Sequence, residues 1–253
     1  MADRIDLNGD VGEGAGNDAA ILESVTSANI ACGFHAGGPS LMARTVALAA
    51  AKGVAIGAHP GFQDAEGFGR RVMAVSPQEV HDLVVYQVGA LLGFTRAAGV
   101  PMQHVKPHGA LYNAAATDPA LADAVATAVA RVDPSLILFG LAASELIAAG
   151  ERAGLRTAAE GFADRTYTSG GLLMPRSEPH SVIADHEAAV AQALRLVMDG
   201  KVRSVEGTDV EVRADTICIH GDHPKAPAAA RAIRTGLAAA GIRVERLTEE
   251  SSP

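Results

Sequence analysis

The strongest constraint on this chain is a repeat of pattern: short apolar runs alternate with longer helical stretches from end to end. RIDLNGD, SANIACG, VAIGAHP, HVKPHG, LILFGL, RTAAEGFA and TICIHGD read as strands, and IRVERL closes the series. Between them lie amphipathic segments such as PSLMARTVALAAAKG, DPALADAVATAVARV and ADHEAAVAQALRLVMDG. The clearest helix starts after Ser76, where Pro77 suits the first position and Glu79 completes a capping box, and it stops at Gly99. Asp118 caps the helix that follows the fourth strand. Strands that are each followed by a helix pair in parallel. Seven or eight such units in 253 residues predict an α/β fold, a closed (β/α) barrel of seven or eight parallel strands. The expected organisation is one domain over residues 1–253, with a flexible tail over 244–253. A doubly wound open sheet is the competing arrangement. GDVGEGAG follows the first strand, but its glycines lack the GxGxxG spacing, and no GxxxxGK[ST] occurs.

Composition narrows the function classes. A formal net charge of −8 argues against a general nucleic-acid or anionic-membrane surface, yet leaves room for a small anion in a locally positive pocket. No apolar run reaches the roughly 18 residues of a membrane span, and MADRIDLNGD does not read as a secretory leader. Cys32 and Cys218 form no CxxC pair and read as reduced, buried thiols of a cytoplasmic protein. With no tryptophan and 4% aromatic residues, the core must be aliphatic.

The ionisable residues are placed unusually. Asp6, Asn8 and Asp10 alternate with apolar neighbours on the first strand. The second strand leads into Cys32 and His35, and the third ends at His59. The fourth carries His104, Lys106 and His108 at a spacing that points all three to one side of an extended chain. The sixth ends at Glu160, followed by Asp164 and Arg165, and the seventh at His220 and Asp222. In a (β/α) barrel the C-terminal strand ends converge on one mouth; in an open sheet they converge on one crevice. Isolated buried ion pairs explain a few of these residues, but not six strands that all end this way. His81, His180 and His186 read as surface residues.

The shared site has candidates for each task. Asp10, His59, Lys106 and His108 are expected to be catalytic, with Asp10 or His59 as the base that takes a proton from water. Lys106 and Arg165 suit a carboxylate, a phosphate or a developing oxyanion. Asn8, Asn29, His35, Glu160, Arg165, His220 and Asp222 are candidates for binding the substrate. A divalent metal on Asp6, Asp10, His59 and His104 is an option, since these donor types suit zinc and its neighbours. No HExxH motif marks such a site, and two imidazoles four residues apart on an extended strand stand roughly 13 Å apart.

LNGDVGEG, SANIACGFHAG, GVAIGAHPGFQD, GFGRR, HVKPHGALYN, EGFADRTY and CIHGD, in this order, closely resemble the LamB/YcsF family over about residues 4–247. Gly9 and Val11 depart from the usual first motif and should point away from the polar row; His223 departs from the usual last one. The resemblance implies a barrel related to the glycoside hydrolase and deacetylase barrels. It also implies the A subunit of an ATP-dependent 5-oxoprolinase, which opens the lactam of 5-oxo-L-proline to L-glutamate with B and C partner subunits. Two other readings stay open: a metal-dependent amidase or deacetylase that needs no ATP, and a non-catalytic, lactam-binding scaffold.

Overall fold

Residues 3–221, 223 and 225–248 are described by a computed structural model. Asp222, one of the expected substrate contacts, and 249–253 of the expected tail lie outside the described residues.

Seven parallel strands close into a barrel. They are β1 (Arg4–Val11), β2 (Ser27–Ala31), β3 (Ala55–His59), β4 (His104–Val105), β5 (Ile137–Leu141), β6 (Arg156–Phe162) and β9 (Thr216–Ile219). They pair in that order, and β9 returns to β1 with Asp6 opposite Thr216 and Asn8 opposite Cys218. The hairpin β7 (Lys201–Arg203) and β8 (Asp209–Glu211) is antiparallel and separate from the barrel; polar alternation did not reveal it. The outer helices include α2 (Pro39–Ala51), α3 (Pro77–Ala97), α5 (Pro119–Val132), α6 (Glu145–Arg152), α7 (His186–Asp199) and α8 (Ala226–Ala239). The capping box of α3 is present: Glu79 donates its N–H to the Ser76 hydroxyl, and Ser76 N–H donates to the Glu79 carboxylate at 2.7 Å. Asp118 accepts the N–H groups of Ala120 and Leu121 at the start of α5.

The main core lies between the outer face of the barrel and the helices, where Ile5, Leu7, Ile30, Ile56, Val105, Leu138 and Ile217 are buried. Burial at such positions contributes about 1.5–3 kcal/mol per large aliphatic side chain. Gly9 belongs to this outer face. A Cβ there would lie 3.0 Å from Ile21 and 3.1 Å from Val25, so the departure from the usual family motif is a packing feature. A smaller apolar group, Ile137, Phe139 and Ala158, packs with Leu247. Residues 244–248, expected to be loose, are held there. β10 (Arg243–Val244) pairs with the start of β1, Gln103 donates to Leu247 O, and Arg156 donates to Thr248 O. Two short helices also escaped sequence pattern, α1 (Asp18–Ile21) and α4 (Gly109–Ala115). Ladder pairing of β4 ends at Val105 and α4 begins directly after His108, yet His108 keeps an extended backbone and His104, Lys106 and His108 all face the barrel interior, toward Asn29, Asp10 and His59. Among the described residues, no helix is long and apolar enough to cross a membrane.

Candidate active site

Inward-facing positions of β1 build a polar column through the barrel. At its lower end Asp6 accepts three hydroxyl protons, from Thr26 at 2.8 Å, Ser27 at 2.7 Å and Thr216 at 2.5 Å. Burial raises its pKa to about 6, against the pull of those hydroxyls. Above it Asn8 donates to Glu160 Oε1 at 2.9 Å and to Thr216 at 2.8 Å. Asn29 donates to Asn8 Oδ1 at 2.7 Å and Asp10 Oδ1 at 2.8 Å. His104 stacks on Phe139 and donates its Nε2 proton to Asn29 Oδ1 at 2.9 Å. Burial lowers its pKa to about 3, so the ring is neutral. A Cβ on Gly57 would stand 2.1 Å from that ring, which explains why the facing residue is glycine.

Lys106 sits at the centre of the column. Its ammonium lies 2.9 Å from Asp10 Oδ1, 3.0 Å from Glu160 Oε1, 3.3 Å from Asn8 Oδ1 and 2.9 Å from Cys218 Sγ. Burial alone would drive the ammonium toward neutrality, but Asp10 and Glu160 outweigh it and hold its pKa well above the ordinary 10.5. Burial likewise opposes the charge on Asp10, while His59 and Lys106 hold that carboxyl well below its ordinary range. Burial pushes the Cys218 thiol well up, so it stays protonated. Lys106 is therefore the counter-ion of two buried carboxylates, and its protons point into the protein.

Over this column opens a cavity of about 830 Å³, within the range that takes small-molecule ligands. Asp10, His59, Lys106 and His108, the four residues expected to be catalytic, all line it, as do Arg165 and His220. Asn8, Asn29, His35 and Glu160 do not; they are buried beneath or beside it. Arg165 reaches the wall, but its guanidinium is engaged by the carbonyls of Ser181 and Met174, so it anchors the loop between β6 and α7. Asp6 and His104 stand low in the barrel, and the expected metal set of Asp6, Asp10, His59 and His104 is not gathered around one point among the described residues. The donors that do converge are Glu13, His35, His59 and His108.

Two residues of the site, Asp164 behind His220 and Tyr112 in the wall, were not singled out from the sequence in these roles. Asp164 holds His220 Nδ1 at 3.0 Å from each carboxylate oxygen, leaving Nε2 as the basic nitrogen of a ring that borders the cavity. Tyr112, from α4, also lines the cavity, and its hydroxyl is buried. Burial, reinforced by the nearby Glu160 carboxylate, raises its pKa well above 10, so it remains a proton donor. The mouth carries Arg70, Arg71 and Arg176, and the Arg71 guanidinium is held there by the Asp64 and Glu66 carboxylates.

Comparison with known proteins agrees with this architecture. The family model described as the LamB/YcsF family matches residues 5–252. The 5-oxoprolinase A subunit of Bacillus subtilis (strain 168) is 60% identical, the match covering 98% of this chain and 99% of that one. A protein of the same name from Bordetella pertussis is 56% identical over 97% of this chain and 99% of its own length. The crystal structure of a lactam utilization protein from Thermus thermophilus superposes with a TM-score of 0.90 at 50% identity, covering 96% of this chain and all of that one. With the match running almost the full length and the barrel shared, this chain belongs to the LamB/YcsF family.

Proposed function

We propose that this chain is the ring-opening subunit of a cytoplasmic 5-oxoprolinase. It directs water onto the lactam carbonyl of 5-oxo-L-proline to release L-glutamate, in an assembly whose B and C subunits activate the lactam with ATP. The overall balance is one lactam and one water giving glutamate, with one ATP and a second water giving ADP and phosphate. One observation carries this reading. His220 held by Asp164, a protonated Tyr112 and an ionised Asp10 meet at the same cavity, where His220, Tyr112 and Asp10 form part of the wall beneath an arginine rim, in a near full-length relative of proteins named as the A subunit of 5-oxoprolinase.

Each residue then has a task. An unstrained amide resists water at neutral pH, so the carbonyl carbon must be activated, the nucleophile deprotonated and the oxyanion held. Asp164 fixes the His220 ring so that Nε2 takes the proton of the attacking water, and the resulting imidazolium is stabilised by the same carboxylate. This moves the base from Asp10 or His59 to His220. Tyr112 donates to the oxygen on the reacting carbon. At the rim Arg70 and Arg176 receive the substrate carboxylate and the phosphoryl group that activation leaves on the lactam. Lys106 holds Asp10 as a carboxylate and bonds to Glu160 rather than touching the substrate.

Reconstitution tests this division of labour. The chain alone, given 5-oxoproline and ATP, is expected to release no glutamate; with both partner subunits it should release one glutamate per ATP. Robust turnover by the isolated chain refutes the role given to the partners. Tight binding of 5-oxoproline with full complex turnover after Asp164→Asn would instead favour a scaffold.

A further inference from the structure

We infer that His59, His108 and Glu13 form a binding site for a divalent transition-metal ion of the zinc class at the floor of the cavity. The protons on the two rings can be counted. His59 Nδ1 lies 2.7 Å from the Lys106 carbonyl oxygen, and His108 Nε2 lies 2.8 Å from the Phe68 carbonyl oxygen. A carbonyl only accepts, so both of these nitrogens carry hydrogen. The other nitrogens, His59 Nε2 and His108 Nδ1, are then bare lone pairs in the neutral rings. They face each other at 2.9 Å, inside a buried site. Two lone pairs at that separation repel, and a positive centre must join them.

The surroundings match a metal ion. A tetrahedral shell at about 2.0–2.1 Å places neighbouring donors roughly 3.3–3.4 Å apart. Here the imidazole pair is 2.9 Å apart, Glu13 Oε1 is 3.7 Å from His108 Nδ1, and Asp10 Oδ2 is 3.5 Å from His59 Nε2. Backbone carbonyls on the distal nitrogens are the arrangement that orients metal-binding histidines. His35 is nearby but unsuited as a ligand. Its ring lies flat on His108 at 3.7 Å and 4°, and parallel faces cannot both aim in-plane lone pairs at one ion between them. It instead donates Nε2–H to Glu13 Oε1 at 3.3 Å, orienting that carboxylate. Asp10, Cys218 and His220 also converge, but the Lys106 ammonium is 2.9 Å from Cys218 Sγ and would repel a cation there. Two of the three donors, His59 and His108, line the cavity, and the site stands whatever substrate the cavity takes.

The test uses untagged chain stripped with a chelator and then equilibrated with Zn(II) alone or Co(II) alone. One ion per chain is expected by elemental analysis, with the intense visible bands of four-coordinate Co(II). His59→Gln and His108→Gln should each weaken binding by at least 100-fold, and His35→Gln by about 10–100-fold, as loss of an orienting partner does. Cys218→Ser should keep one ion per chain. If a ligand variant fails to fold, Glu13→Gln and the melting temperature of wild type with and without Zn(II) decide instead: the ion should raise the melting temperature of wild type and much less that of Glu13→Gln. Wild type that binds less than a tenth of an equivalent, or ligand variants that bind as tightly as wild type, would overturn the site. Neither result bears on whether the assembled complex opens 5-oxoproline, so the metal site and the proposed activity fail separately.

Discussion

Replacing Lys106 by Met is the sharpest probe of the polar column. The side chain fits the space, but it removes the one ammonium that lies 2.9 Å from Asp10 and 3.0 Å from Glu160, whose side chains are 4% and 0% exposed. Each contact is worth about 5–6 kcal/mol of gross attraction at an effective dielectric constant of about 20. The net loss is smaller, because the wild type also bears the cost of burying the ammonium, and because an orphaned carboxyl can take up a proton. Breaking a buried pair by removing one partner costs about 3–5 kcal/mol. In a chain of this size that lowers the melting temperature by roughly 6–20 °C. The pH dependence has a definite sign. In the variant buried Asp10 loses the ammonium that helps to hold it ionised, so its pKa rises above that of the unfolded chain and it contributes stability below pH ~4 that is lost as pH rises through its folded value. The deficit relative to wild type should therefore be larger at pH 8 than at pH 5, and Lys106→Met/Glu160→Gln should recover part of it at pH 8. Thermal melts and urea titrations at both pH values provide the assay. A deficit under about 1 kcal/mol at pH 8, small beside the cost of an orphaned buried charge, would mean that Lys106 is not the counter-ion of the column.

The same geometry sets three more outcomes. Burial raises the Asp6 pKa from the ordinary 3.8 to about 6, so wild type should lose ~3 kcal/mol of stability as pH rises through that interval; Asp6→Asn should show a flatter profile between pH 4 and 7 by urea titration, and an unchanged slope would refute the assignment. His220→Gln should lower kcat of the reconstituted complex by about 10²–10⁴-fold with little change in KM, and Asp164→Asn should do nearly as much by releasing the ring; a variant with normal kcat would remove His220 as the base. Gly57→Ala puts a Cβ 2.1 Å from the His104 ring and should cost about 1–3 kcal/mol in a denaturant titration; a neutral effect would contradict the packing of His104 on Phe139.

The sequence by itself determined the strand–helix units and their parallel pairing, while closure into a barrel rather than an open sheet was decided by the structure. Strand and helix periods are local properties, set by which side chains face water, and every barrel strand falls on a run legible from the residues, β1 reaching one residue past its run to Val11. The capping residues Ser76, Glu79 and Asp118 were legible for the same reason, since a cap bonds within three residues of itself. The convergence of strand ends on one mouth followed from parallel pairing, and it brought Asp10, His59, Lys106, His108 and His220 to one cavity. What each of them does there was decided only by tertiary structure. Lys106 was expected to face a ligand, but it faces Glu160, 54 positions along the chain, and Asp10 from the first strand. His104 and His108 shared a strand pattern, yet the chain turns into α4 after His108; one ring packs inside the barrel and the other meets His59. Asp164 and His220, 56 positions apart, become partners because β6 and β9 are neighbours in the closed ring. Ionisable side chains take their roles from the charges and dipoles that surround them, and those neighbours are chosen by barrel closure, which no local pattern records.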